Sequence, residues 1–338
     1  MKKLISLICV LAMVLALAAC GSSAPAAATE APAASTEAPA EDVSADKTFV
    51  VGICQLVQHP ALDAATQGFK DALTEALGDK VTFQEQNASG DSATCSLICN
   101  QFVSDEVDLI MANATASIQA AASATNTIPI LGTSITDYGV ALGVDNWTGV
   151  SGTNISGTSD LAPLDGQAAM IQELFPDAKT IGLLYCSGEP NSIFQADSME
   201  ALLTDMGYSV ERYTFADSND VSSVTANACS NADVLYIPTD NTAASCTEAI
   251  NNVALSAGIP IVAGEEGLAS GCGAATLSIS YYDLGRATGE MAAEILTEGA
   301  DISTMEVRFA PAFTKEYNAD ICEALNITVP EDYVAIAK

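Results

Sequence analysis

From Thr48 onward, short runs of β-branched and aliphatic residues alternate with longer stretches in which apolar residues recur every three or four positions. That is the pattern of strands alternating with amphipathic helices. The first half predicts strands at 49–54, 81–86, 109–112 and 128–131, separated by helices at 62–77, 93–103 and 117–124. A break follows over 138–153. The rhythm then restarts with helix 166–174, strand 180–185, helix 192–206, strand 209–215, helix 221–229, strand 234–237, helix 243–257 and strand 259–262. Phe49-Val50-Val51-Gly52-Ile53 and Thr180-Ile181-Gly182-Leu183-Leu184 open the two halves in a similar way. The expected fold is α/β, with two doubly wound parallel-sheet lobes and a ligand cleft between the carboxyl ends of their strands.

Ahead of this region the pattern changes twice. Lys2 and Lys3 precede an apolar run, 4–19, too short to be a comfortable bilayer span and laid out like a secretory signal. The run ends in Leu17-Ala18-Ala19-Cys20-Gly21, which resembles a bacterial lipobox. Residues 1–19 are therefore expected to be removed and Cys20 to carry a lipid, holding the protein on the outer face of the cell membrane. Residues 20–46 are a low-complexity mixture of Ala, Pro, Ser, Thr and Glu with no apolar periodicity, expected to form a disordered tether. The remaining length, about 290 residues, suffices for two medium-sized domains.

Composition narrows the function. The chain has 11 basic and 43 acidic residues, a net charge of −32, which excludes nucleic acid as a partner. Beyond Cys9 and Cys20, the cysteines Cys54, Cys95, Cys99, Cys186, Cys229, Cys246, Cys272 and Cys322 are scattered, mostly inside apolar runs where cysteine acts as a small buried hydrophobe. Cys95 and Cys99 lie one helical turn apart but lack further ligands nearby, so no metal site is expected. His59 is the only histidine. Nucleophile-elbow, phosphate-loop, dinucleotide and histidine-metal motifs are absent, and adjacent Glu265 and Glu266 would point to opposite sides of an extended segment. The chain reads as a non-enzyme without cofactor.

Polar residues do cluster where strands give way to helices. Gln55 to Asp63 contains Gln58-His59-Pro60; Asn113-Ala114-Thr115-Ala116-Ser117, Thr133-Ser134-Ile135-Thr136-Asp137, Ser187-Gly188-Glu189-Pro190-Asn191-Ser192 and Pro238-Thr239-Asp240-Asn241-Thr242 follow later strands. Helix starts offer free N–H groups and a positive dipole end, so several such turns facing one cleft suit an anionic group such as a carboxylate.

The run Val51-Gly52-Ile53-Cys54-Gln55, continuing to His59-Pro60-Ala61-Leu62-Asp63 and Gly68-Phe69, resembles the tryptophan/tyrosine-type (TrpX-like) ABC transporter substrate-binding proteins. So do Ser187 to Ser192, Pro238 to Thr242, Ala263-Gly264-Glu265-Glu266-Gly267 and Tyr281-Tyr282 with Leu284-Gly285, spread in order over nearly all of the folded region. Gln58 and Ser280 depart from the pattern, standing where acidic residues are expected. The resemblance implies a type I periplasmic-binding-protein fold whose lobes, 47–155 plus about 281–308 and 156–280 plus about 309–338, are hinged and close on a ligand. It also implies an amino acid, expected to be aromatic, delivered by a monomer to an ABC permease and its ATPase. A branched-chain amino acid, nucleoside or sugar, or a sensing role without transport, are the alternatives. For a zwitterion, Thr115, Ser187, Asn191 and Ser192 would serve the carboxylate. Asp240, or second Asp137, would serve the ammonium. Leu62, Phe194 or Tyr281 would wall an aromatic side chain, with Gln55 or His59 reaching a phenol or indole N–H. Ala114, Thr136, Asn241 and Glu265 complete the candidate ligand-binding set.

Overall fold

The computed structural model describes residues 47–310 and 312–337, all within one unit spanning Val43–Lys338. The apolar leader, Cys20 and the expected tether lie outside the described residues.

The first sheet consists of β1 (Phe49–Gln55), β2 (Val81–Asn87), β3 (Leu109–Asn113), β4 (Ile130–Ile135), β5 (Ile155–Ser159) and β11 (Arg308–Phe309), in the order β11-β5-β4-β3-β1-β2 and parallel throughout. The second consists of β6 (Thr180–Cys186), β7 (Ser209–Phe215), β8 (Val234–Ile237), β9 (Ile261–Ala263), β10 (Ala275–Ser278), β12 (Thr314–Tyr317) and β13 (Val334–Ala335), in the order β13-β12-β10-β9-β8-β6-β7. It departs from the all-parallel expectation at one pair, β10 with β12.

Period-two alternation explains why both faces are covered. Val51 and Ile53 of β1, with Leu109 and Met111 of β3, point to one face, where they meet Phe69 and Leu73 of α1 (Pro60–Leu77). Cys54, Ile110 and Ala112 point to the other, against α2 (Ser92–Ser104) and α3 (Thr115–Ala124), which contribute Cys95, Phe102 and Ile118. After α4 (Tyr138–Leu142), the second lobe repeats the scheme. Ile181, Leu183 and Tyr185 pack toward α5 (Leu164–Leu174) and α6 (Pro190–Asp205), while Leu184 and Cys186 pack toward α7 (Val221–Cys229), α8 (Asn241–Ala244) and α9 (Thr247–Ala257). The remaining helices are α10 (Glu266–Gly271), α11 (Tyr281–Glu298) and α12 (Ala319–Ala324).

Helix α11 returns to the first lobe and crosses α1 at glycines. A methyl group on Gly285 would collide with the Ala65 carbonyl, and one on Gly68 with the Tyr282 carbonyl. This close crossing ties the start of α1, which carries His59, to the start of α11, which carries Tyr281.

The structure differs locally from the expected elements. The single helix expected over 243–257 is two, α8 and α9, because Cys246 leaves helical geometry (φ −124°, ψ 20°). Strand β5 and helix α4 occupy a stretch with no clear period. β5, Ile-Ser-Gly-Thr-Ser, has few β-branched residues and is held by hydroxyl pairs: Thr158 Oγ1 lies 3.2 Å from Thr133 Oγ1 and 2.8 Å from Thr288 Oγ1. β4 runs on to Ile135, and the β4–β5 register shifts between Gly132 and Ile135. The shift accommodates Tyr138, whose hydroxyl donates to the carbonyls of Gly132 (3.0 Å) and Thr158 (3.1 Å). It leaves Ser134 at φ 56°, a left-handed conformation uncommon for a side chain of this kind. The chain passes between the sheets after β5, after β10 and after β11.

Candidate functional site

The carboxyl ends of β1 and β4 face those of β8 and β9 across a buried cavity. It is lined by His59, Leu62, Ser134, Thr136, Asp160 and Tyr281 on one side and Asn191, Thr239, Asp240, Asn241, Ala244 and Glu265 on the other. The lobes touch around it. Thr136 Oγ1 and Thr239 Oγ1 are 3.2 Å apart, Gln195 Nε2 donates to Thr136 Oγ1 (3.4 Å), and His59 Nε2 lies 3.3 Å from Asn241 Oδ1. Closure leaves only about 10 Å³ open to the centre of a water-sized sphere, room for about one water. Any larger occupant needs the lobes to stand further apart than they do here. Asn241 also borders a wider interlobe groove of about 280 Å³, walled by Leu56, Val57 and Ala116 on one side and Cys186, Gly188 and Ala216 on the other.

Three buried polar atoms of residues lining the cavity have no partner within the protein: His59 Nδ1, Ser134 Oγ and Asp160 Oδ1. Buried polar groups are almost always satisfied. Three exceptions around one cavity make it the candidate site for a polar ligand. Two lobes of this topology meeting over such a cavity can enclose a small ligand, and the family model of ABC transporter substrate binding proteins matches residues 50–338. The chain belongs to that family.

A tyrosine-binding protein from Clostridioides difficile is 38% identical over 280 residues, 82% of this chain and 81% of that one. The solved ABC domain from Streptococcus pneumonia in complex with L-Trp superposes with a TM-score of 0.82 at 31% identity, covering 86% of this chain and all of that one. The ligand-free, open structure of a substrate binding protein with adhesive properties from Clostridium difficile is more similar in sequence, at 38%. It superposes less well, with a TM-score of 0.66 over 86% of this chain and all of that one. That structure is open, whereas in this substrate-binding protein the two lobes touch around the cavity. Proteins of this family bind ligands rather than transform them, and work outside the cytoplasm.

The electrostatics of the cavity follow from its carboxylates. Burial raises Asp160, opposed by the donor from Tyr281 (hydroxyl to Oδ2, 2.8 Å). Burial pushes Glu265 up to about 7 against the donors Gly267 N (2.5 Å) and Leu268 N (2.6 Å). Asp240 is raised by burial and then by the nearby Glu189, while Cys186 N (2.6 Å) and Ala243 N (2.8 Å) pull the other way. No lysine or arginine lines the cavity. It therefore favours a ligand that brings a positive charge.

Of the candidates named from the sequence, His59, Leu62, Thr136, Asn191, Asp240, Asn241, Glu265 and Tyr281 line the cavity. The others lie apart from it. Gln55 spends its amide within the first lobe, donating to Val57 O (2.9 Å) and Asp63 Oδ1 (2.7 Å) and accepting from Thr66 Oγ1 (2.7 Å). Ala114 and Thr115 are buried at the start of α3, Ala114 at φ 82°. Asp137 caps α4 by accepting from Val140 N (2.7 Å). Ser187 is exposed and donates to Phe215 O (3.2 Å), Ser192 hydrogen-bonds Asp240 behind the lining, and Phe194 is half-buried on α6.

Helix starts around the cleft are also less available to an anion than expected, because the protein's own carboxylates fill them. Asp240 caps α8 and Glu265 caps α10, while Glu189 accepts from the main-chain N–H groups of Asn241 (3.0 Å) and Thr242 (2.8 Å). Lining residues not singled out from the sequence are Ser134, Asp160, Thr239 and Ala244. Ser134 and Thr239 lie inside turns flagged as polar. Asp160 follows the unrecognised β5, and a polar residue closing a strand was its only signal.

Proposed function

We propose that this protein is the extracytoplasmic, lipid-anchored binding component of an ABC importer, taking an aromatic amino acid in the interlobe cavity and delivering it to the permease. The observation that carries the amino-acid reading is the set of unsatisfied atoms. Asp160 Oδ1 is a buried carboxylate oxygen with no donor in the protein, suited to an α-ammonium group. Ser134 Oγ, with the facing hydroxyls of Thr136 and Thr239, offers donors to an α-carboxylate. Leu62, Ala244 and the ring of Tyr281 supply apolar wall. The aromatic class rests on the tyrosine and tryptophan named for the relatives.

In this reading Asp160, rather than Asp240, meets the ammonium, because both oxygens of Asp240 already accept main-chain N–H groups. A ligand gripped by residues of both lobes stabilises the closed state, which the permease can recognise. Cys20 would carry the lipid that keeps the binding protein near its membrane partner.

Calorimetry and thermal shift against the twenty amino acids test the assignment. A ligand at 100 times its Kd adds about 2.7 kcal/mol of stability. Stabilisation confined to Tyr, Trp or Phe is expected, and a response to sugars or nucleosides instead would refute the reading.

A further inference from the structure

The structure assigns His59 the role of reading the ligand's side chain as a hydrogen-bond acceptor, so that this protein selects an aromatic amino acid carrying a ring donor, a phenol O–H or an indole N–H, over phenylalanine. The inference rests on the amino-acid reading above. It follows from a relay that begins at Glu189, whose two carboxylate oxygens are surrounded by donors. Asn241 N (3.0 Å) and Nδ2 (2.8 Å) and Asn191 Nδ2 (3.1 Å) meet Oε2, and Thr242 N (2.8 Å) and Oγ1 (2.7 Å) meet Oε1.

With its NH2 committed to Glu189, Asn241 turns its carbonyl oxygen toward His59, 3.3 Å from Nε2. The amide cannot be flipped without placing Oδ1 against a carboxylate, so the ring nitrogen facing Asn241 carries the proton. Nδ1 is then a bare lone pair. It is buried, on a residue 6% exposed that lines the cavity, and has no donor in the protein. The imidazole stays neutral in this position: burial lowers its pKa, outweighing the Asn241 bond and the charges of Glu189 and Asp63.

The ligand must therefore supply a donor at Nδ1. The ammonium is accounted for by Asp160, which Tyr281 holds where the chain crosses between lobes. His59 stands against Asn241, where the cavity borders the wider groove, and that end is left to the side chain.

The test is calorimetry on the full protein with Tyr and Trp, each against a counterpart lacking only the donor: Phe for Tyr, and 3-benzothienylalanine for Trp. Whichever parent binds should lose about tenfold or more in affinity with its donor. His59→Leu should bring each parent and counterpart to within about threefold, whereas His59→Asn, which keeps an acceptor near the Nδ1 position, should retain part of the difference. Melting temperatures identify a variant that fails to fold, and the wild-type ligand series decides the matter without it. Equal binding of parent and counterpart overturns the inference while leaving the amino-acid reading intact. A His59→Leu protein that weakens all ligands alike, with the ratio unchanged, shows a structural role and also overturns it. Binding of no amino acid overturns the proposed function itself.

Discussion

Asp160→Asn is the sharpest probe of the ligand site, because it separates binding from folding. The carboxylate is buried, its Oδ2 accepts from Tyr281 at 2.8 Å, and its Oδ1 has no donor in the protein. An asparagine that keeps its oxygen on the Tyr281 side turns its NH2 toward the cavity. A ligand ammonium would then lose a negative partner and meet another donor. Breaking a buried charge pair costs about 2–5 kcal/mol. The shape is retained, so we expect about 2–3 kcal/mol, roughly 30- to 150-fold in Kd.

Stability should move the other way. Burial raises the Asp160 pKa above its ordinary value, so the folded state holds a proton that the unfolded state releases as pH rises past about 4. The wild-type residue thus destabilises the unliganded fold increasingly above that pH, and asparagine removes the penalty. Unliganded Asp160→Asn should melt at or above the wild-type temperature at pH 7 while binding poorly in calorimetry. A Kd within threefold of wild type, or a binding loss matched by a large fall in melting temperature, would refute the argument.

Other expectations follow from neighbouring features. With Glu265 raised to about 7, the folded protein holds a proton between about pH 4.5 and 7 that the unfolded chain gives up. Stability from this group should fall as pH rises through that window, by up to about 1.4 kcal/mol per pH unit, and Glu265→Gln should flatten the dependence in denaturation curves. Gly285→Ala places a methyl group against the Ala65 carbonyl at the α1–α11 crossing and should cost about 1–3 kcal/mol in chemical denaturation, since backbone on both sides resists the insertion. Native alkylation should reach half-buried Cys229 and Cys246 first. The buried Cys54, whose thiol is pushed up to about 12, should react only on unfolding, as read by peptide mass spectrometry. Cys20→Ala should bind ligand normally yet leave the membrane fraction on cell fractionation; retention there would make the lipid incidental.

The sequence carried most of the fold because period-two strands and amphipathic helices announce themselves wherever one face is buried, as in β1 with Val51 and Ile53. It failed where hydroxyl pairs, not apolar packing, hold a strand. β5 has one aliphatic residue, Ile155, followed by serine, glycine and threonine, too little for a hydrophobic signature, so the acid that follows it went unread. The end of β4 was hidden for a related reason. Its register shifts beside the Tyr138 hydroxyl, and Ser134, inside that shift, lines the cavity, a tertiary arrangement with no local sequence signal.

That Asp160 rather than Asp240 keeps an oxygen free marks a further limit of spacing arguments. A carboxylate just before a helix is within reach of the N–H groups two and three residues on, and Asp240, Glu265 and Asp137 each spend oxygens that way. Asp160 is followed by Leu161-Ala162-Pro163 before α5 begins at Leu164, so no helix start lies within its reach. One of its oxygens therefore remains free, in a segment that connects the two lobes. In the proposed reading, a ligand bound there would act directly on a connection between the lobes, which would couple occupancy of the site to the arrangement of the two lobes.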